Sequence, residues 1–368
     1  MIRPTALQVA LQQRIARIVA DPAVANTSIA HQVRSRLPHA TWEVRSASDP
    51  TPNDPHTLYL KAYRGRVLRP CPGTSHYRCC GYQIIHIGEN CPLACSYCIL
   101  QAYFQDPTLK VWANLEDLEA QILPVLRSTP TRRWRLGTGE FTDSLALESL
   151  TGISAHLIRM LAPFPNAVLE LKSKVVDLSW MDAVTDPRRV LPAWSVNAPE
   201  IVLQEEHGPR ASLEERLQAA KTCAAAGFRV CLHFDPILYY TGWQDGYARA
   251  VEAIADTLRP SQVAYISLGS FRCMSALHAH IQQTRPQAQY IYAEFVPGLD
   301  GKLRLLRPLR VQQLRHVAQG LIRAGFTQLY LCMESDPVWQ AVLGHTPGPK
   351  LPQYLEMLTF GPAPTILP

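Results

Sequence analysis

The sequence predicts an α/β protein built on a partial or full parallel (β/α) barrel. Strand-like and helix-like segments alternate from about residue 83 onward. That order implies a parallel sheet with crossover helices. The strand-like segments recur at roughly 25–35 residues, which gives five to seven βα units and suits a barrel. The 368 residues are 47% hydrophobic and 18% charged, enough to bury a large core without disulfides.

Residues 7–37 carry Leu7, Leu11, Ile15, Ile18 and Val19 at helical spacing, so one or two helices are expected in an N-terminal extension. The run from Ser46 to Thr57, with prolines at 50, 52 and 55, is a turn-rich linker. Leu58–Leu60 and Val67–Leu68 read as short strands before a cysteine-rich segment. The expected barrel strands are Gln83–Ile87, Trp134–Leu136, Ala167–Lys172, Ala193–Val196, Arg229–Phe234, Val263–Leu268 and Tyr290–Phe295. The expected helices are 115–128, 145–161, 211–226, 244–257, 274–283 and 309–324, with an interruption at Asp177–Met181. A last strand is expected at Gln328–Met333. The organisation is thus an extension and linker (1–57), a cysteine-rich lid segment (58–82), the barrel core (83–297) and a C-terminal hairpin and strand extension (298–368).

Thirty-six Lys and Arg against thirty Asp and Glu give a charge of +6, which permits a nucleic-acid partner without requiring one. No apolar run approaches a membrane span, and the first residues carry no signal-peptide core, so a cytoplasmic protein without membrane contact is expected. Ten cysteines in that compartment are not a disulfide framework. Six of them fall between Cys71 and Cys98; Cys223, Cys231, Cys273 and Cys332 are dispersed.

The strongest chemical signal is Cys91-Pro-Leu-Ala-Cys95-Ser-Tyr-Cys98, three thiols on one loop after a strand. Cysteine thiolates hold iron–sulfur clusters, and a four-iron cubane with three protein ligands keeps one iron open. A structural zinc site would want a fourth Cys or His at matching spacing. This C-x3-C-x2-C motif, with Tyr97 just before the last cysteine, resembles the radical S-adenosylmethionine (radical SAM) superfamily. The resemblance implies a barrel of radical SAM type. It also implies a [4Fe-4S] cluster on Cys91, Cys95 and Cys98 that binds and cleaves S-adenosyl-L-methionine to a 5′-deoxyadenosyl radical. An electron donor such as a flavodoxin or ferredoxin follows from it. Gly137-Thr138-Gly139-Glu140 resembles the family's Gly-Gly-Glu element, so Gly139 and Glu140 are expected at the methionine amino group.

A narrower resemblance is to the spore photoproduct lyase family. It is carried by Cys95-Ser-Tyr-Cys98-Ile-Leu-Gln101, Asn114-Leu-Glu, Leu171-Lys172-Ser-Lys174, Trp194-Ser195-Val-Asn197, Ser212-Leu-Glu-Glu-Arg216, Asp235-Pro236-Ile237 and Gly242-Trp243. These pieces span about residues 70–300 in order. That family cleaves a thymine dimer in DNA. By position the resemblance assigns Lys172, Ser195 and Asn197 to S-adenosylmethionine and Tyr97 to catalysis. Two positions depart from the family. Phe141 stands where the lyases have their hydrogen-donor cysteine, and Ile99 where they have a second relay tyrosine. A phenyl ring has no weak X–H bond to give. Cys231, Cys273 and Cys332 are alternative thiols, and Cys332 is a catalytic candidate.

Cys71, Cys79 and Cys80, with His76 between, are candidates for a second iron–sulfur or metal site, to which Cys332 could add a thiolate. The alternatives are a buried cysteine pair in a lid strand or a redox disulfide. Gly298–Arg310 has the pattern of a basic hairpin turning at Asp300-Gly301, either a DNA-binding wedge or a solvated hairpin. Tyr239, Tyr240, Trp243 and Tyr247 are either base-stacking or core aromatics. Three function classes remain open: a photoproduct-lyase-type enzyme acting on DNA or a nucleotide-like lesion, a radical SAM enzyme with another small-molecule or nucleic-acid substrate, and a cluster protein without turnover.

Overall fold

In the computed structural model, which describes residues 6–46, 48–74 and 76–360, seven parallel strands run in sequence order across one sheet. They are β1 (Gln83–Ile85), β2 (Trp134–Gly137), β3 (Ala167–Ser173), β4 (Val190–Ser195), β5 (Val230–Ile237), β6 (Val263–Ser270) and β7 (Leu329–Leu331). Leu68–Pro70 adds an antiparallel edge beside β1. The edge strand and β7 do not pair, so the barrel is open on that side. The residues of β3 and β4 are almost all buried, as parallel strands covered on both faces require. Residues 1–5 and 361–368, the outer ends of the expected extensions, lie outside the described residues.

The covering helices follow the apolar spacing. Helix Leu115–Ser128 buries Leu118, Ile122 and Leu126 on one face. Helix Leu213–Ala225 starts with a capping box: Ser212 Oγ accepts from Glu215 N at 3.1 Å, and Glu215 Oε2 accepts from Ser212 N at 2.6 Å. The expected single helix 145–161 is broken. Gly152, at φ +65°, divides Glu148–Thr151 from Ile153–Leu161.

Two further expectations differ from what forms. The N-terminal extension holds helices Ala6–Arg14 and Ser28–Arg36, but Ile18 and Val19, given to a helix on spacing, lie in strand Arg17–Ala20. β-branched residues fit a pleated surface, and a partner was available in Thr57–Lys61. A second sheet results, ordered Thr41–Val44, Arg17–Ala20, Thr57–Lys61, Leu109–Trp112 and Gly88–Glu89. The run Tyr290–Phe295 is not a barrel strand. Gln289–Tyr292 is a 3₁₀ turn whose Tyr290 and Ile291 are buried, and Phe295–Pro297 opens a hairpin with Leu303–Leu305. No helix among the described residues is long and apolar enough to cross a membrane.

Candidate active site

The three motif cysteines leave β1 through the short strand Gly88–Glu89, which belongs to the second sheet. The loop is pinned at both ends. Asn90, at φ +67°, donates through Nδ2 to Asp106 O and Thr108 O, both at 2.8 Å. Ala94 also takes a left-handed backbone at φ +48° inside the loop, a conformation that a residue with a Cβ adopts only when its surroundings fix it. Cys98 N donates to Cys95 O at 3.1 Å, and Gln101 Nε2 donates to Cys95 O at 2.7 Å.

A second loop, Glu205–Ala211, clamps the first. Ser96 N donates to Glu205 O at 2.8 Å, and Gly208 N to Leu93 O at 2.7 Å. A Cβ on Gly208 would come within 2.3 Å of Pro92 O, so only glycine allows this approach. Tyr97 OH donates to Glu206, whose carboxylate is also paired with Arg216. Arg216 is wholly buried and donates to Ala211 O and, at 2.9 Å, to Ser195 O. Tyr97, assigned to catalysis above, therefore has its phenol inside a buried polar network, with Lys174 Nζ 5.8 Å from its ring centroid. Glu205, Glu206, Gly208 and Arg216 were not singled out as site residues. Of these, Arg216 alone falls in a segment that carries the family resemblance, Ser212-Leu-Glu-Glu-Arg216.

Strand β3 aims Glu170 and Lys172 to one face, as alternate residues must, and Lys174 follows just past its end. Glu170 lies deepest, 3.0 Å from His233 Nε2, and Arg135 Nη2 is 3.9 Å away. Burial alone would raise Glu170, but His233 and Arg135 outweigh it and hold the carboxyl down at about 2. One step up, Lys172 Nζ is 2.5 Å from Glu140 Oε1. Burial works against the Lys172 charge, yet Glu140, Glu170 and Asp235 together hold it above its usual range. Lys174 follows at the top; Cys95 and Cys98 both lie within its field.

Gly139 passes so close to β3 that a Cβ would meet Lys172 O and Cβ at 3.0 Å. Asp143 fixes the rest of that loop, accepting from Leu145 N and Ala146 N at 2.9 Å and from Ser173 Oγ at 2.7 Å. Ser195 ends β4. Asn197 uses its side chain locally: Nδ2 donates to Pro236 O at 2.9 Å, and Oδ1 accepts from Tyr247 OH at 2.6 Å. Tyr247 and Trp243 are buried core, and Tyr240 OH donates to Glu200 at 2.7 Å, so these aromatics do not form an exposed stacking platform. Phe141 lies 4.7 Å from the His86 ring and packs with Tyr82 and Ile84. His76 is exposed.

The arrangement suits an iron–sulfur cluster. Cys91 lies in the field of Cys95 and Cys98, Cys95 lies in that of Cys98, and burial pushes all three thiols up, Cys95 to about 12. Such thiols become thiolates when a metal takes the proton's place. Among the described residues, no three Cys, His, Asp or Glu side chains converge on a single ion. A cubane does not need that convergence, since each thiolate goes to its own iron.

A family model for spore photoproduct lyase matches residues 77–293. The chain belongs to the spore photoproduct lyase family. The spore photoproduct lyase of Clostridium acetobutylicum is 20% identical over 211 residues, covering 57% of this chain and 61% of that one. The lyase of a Geobacillus species is 25% identical over 175 residues, 47% and 51% of the two chains. That of Bacillus subtilis is 24% identical over 185 residues, 49% and 53%. The chain thus matches between half and two thirds of the length of these relatives. A solved spore photoproduct lyase mutant with dinucleoside spore photoproduct has a TM-score of 0.73 at 17% identity, covering 86% of this chain and 98% of its own. Another, with bound AdoMet and the same dinucleoside, has a TM-score of 0.72 at 18% identity, covering 87% and 99%. The family's fold therefore extends through most of this chain.

Proposed function

We propose that this chain is a radical SAM enzyme of lyase type whose cluster sits on Cys91, Cys95 and Cys98. The observation that carries the reading is the pinned three-thiol loop at the carboxyl end of β1, beside Glu170 and Lys172 on β3 and Lys174 just past its end. When bound, the [4Fe-4S] cluster supplies the electron that cleaves S-adenosylmethionine to a deoxyadenosyl radical; a flavodoxin or ferredoxin would deliver that electron. Glu140 and Lys172 present one negative and one positive charge in the lumen, complementary to the zwitterionic methionine end of the cofactor. Gly139 keeps that loop against β3, and Ser195 and Asn197 border the same mouth. Asn197 contributes by holding the Pro236 turn in place as well as by any contact of its own.

The substrate proposed is a thymine lesion in DNA, because relatives with this fold bind dinucleoside spore photoproduct. The hairpin at 295–305 supports a nucleic-acid partner. Its tip residue Leu299 is 71% exposed, beside Gly298 and the Asp300-Gly301 turn. Two of the cations expected over Gly298–Arg310 are used internally: Arg304 of the hairpin pairs with Asp300 at 2.8 Å, and Arg310 of the following helix with Glu334 at 3.0 Å. A second reading, a different small-molecule or nucleic-acid substrate, is favoured by Phe141 alone, which leaves no thiol at the family's donor position.

The test is anaerobic turnover. Wild type should release 5′-deoxyadenosine from S-adenosylmethionine, and a Cys91→Ala, Cys95→Ala, Cys98→Ala variant should release none. Continued release by the variant sinks the cluster assignment. Release without repair of a spore-photoproduct dinucleotide rejects the lesion and favours the second reading.

A further inference from the structure

Four other cysteines come together where the barrel closes. Residues 71–74 and 76–82 lie at the open side between the edge strand Leu68–Pro70 and β7. They are tied to the residues after β7: Arg78 N donates to Glu334 O at 3.0 Å, and the Arg78 guanidinium pairs bidentately with Asp336. Cys80 O accepts from Arg135 Nη1 at 3.0 Å, inside the barrel. Cys332 lies on the segment that receives this strap, with Sγ 3.5 Å from Arg272 Nη2. Gly73 leaves the room between them: a Cβ there would stand 3.1 Å from Cys79 Sγ and 3.6 Å from the Sδ of Met333, next to Cys332. The Cys79 and Cys80 thiols are hydrogen-bonded to each other. Cys332 lies in the field of Cys71, Cys79 and Cys80.

A buried small residue is the ordinary use of cysteine. Cys223, Cys231 and Cys273 fit that use and are buried, whereas Cys71, Cys79, Cys80 and Cys332 are only partly covered. Burial holds Cys71 and Cys332 above the usual thiol range, with Glu140 and Asp235 adding to it, and Cys80 is raised by its hydrogen bond to Cys79 and by burial; Lys172 at Cys71, Arg272 at Cys332 and Arg135 at Cys80 are the cations that favour the thiolates once a metal takes the protons' place. Met333 adopts φ +57°, held by Arg304 Nη1 on its carbonyl at 3.0 Å. A side-chain-bearing residue in the left-handed region beside a thiol repeats the pattern of Ala94 beside Cys95. The charged neighbours differ between the two sets: Lys174, Glu206 and Asp143 for the motif cysteines, and Glu140, Lys172, Asp235 and Arg272 for these four. They are two separate sites on one lumen.

We propose that Cys71, Cys332 and the Cys79–Cys80 pair hold a second, auxiliary iron–sulfur cluster at the closure of the barrel. A zinc ion would need its ligands around one point, and no three such side chains among the described residues converge on one. A cluster takes each thiolate on its own iron. Each Fe–S bond to the protein forms as one thiol loses its proton to solvent; two ferrous ions, two ferric ions and four sulfides supply a [4Fe-4S]2+ core with no net change of oxidation state.

The experiment is anaerobic reconstitution of the full chain with ferrous and ferric iron and sulfide. Three proteins are compared: wild type, the Cys91→Ala, Cys95→Ala, Cys98→Ala variant, and a Cys71→Ser, Cys332→Ser variant. Expected contents are about eight irons and eight sulfides in wild type and about four of each in either variant, as one cubane per site requires. Iron and sulfide near zero in the triple alanine variant overturn the second cluster, whatever the serine variant does. So does about one zinc per chain without sulfide, or a Cys79–Cys80 disulfide in iron-free protein. The test separates from that of the proposed function, because the triple variant has lost the motif cysteines and cannot owe its iron to them.

Discussion

Arg216→Met removes the cation on which the clamp over the cysteine loop depends. Arg216 is 0% exposed, and its guanidinium serves Ala211 O, Ser195 O and Glu206 at once. The variant leaves Glu206 buried without its counter-charge, and three carbonyl hydrogen bonds go with it. Removing one partner of a buried pair costs about 3–5 kcal/mol. In a chain of this size that lowers the unfolding midpoint by on the order of 4–6 °C. Adding Glu206→Gln removes the orphaned charge while keeping an acceptor for Tyr97 OH, so the double variant should recover at least half of the loss. The assays are thermal unfolding at one fixed scan rate and urea unfolding, with iron content after reconstitution as a readout of the loop. A single-variant cost below about 1 kcal/mol, the level of an exposed pair, would refute the reasoning. So would a double variant no better than the single.

Gly208→Ala should act on the same loop by sterics. Its Cβ would meet Pro92 O at 2.3 Å, so overpacking of about 1–3 kcal/mol and reduced iron uptake are expected, measured by urea midpoint and iron content. His86, enclosed by Tyr63, Trp112 and Phe141, is held down to about 3 by burial and by Arg69. It stays neutral in the fold while the unfolded chain takes up a proton below pH 6.5, so its contribution is present above pH 6.5 and lost as pH falls. Wild type should lose about 1.4 kcal/mol per pH unit from this group between pH 6 and 4, and a His86→Phe variant should lack that slope in urea midpoints. Leu299→Asp, at the exposed hairpin tip, should leave stability within about 0.5 kcal/mol. It should weaken salt-dependent DNA binding in a titration; unchanged affinity would separate the hairpin from any nucleic-acid role.

What the sequence determined by itself is local or short in range. The three cysteines fall within eight residues, so their shared loop follows from covalent spacing. The amphipathic helix 115–128 and the capping box at Ser212 follow from side chains one turn apart. The alternation of strand and helix specifies a parallel sheet because a crossover leaves few other arrangements. Tertiary structure decided what depends on distant partners. Ile18 and Val19 became a strand because Thr57–Lys61 was there to receive them. Glu206 and Arg216 became the anchor of Tyr97 across more than a hundred residues, and Cys332 met Cys71, Cys79 and Cys80 only because β7 ends opposite the edge strand across the open side. Apolar period and motif spacing carry no record of such meetings, since a buried charge or thiol is paid for by whichever partner the completed fold brings to it.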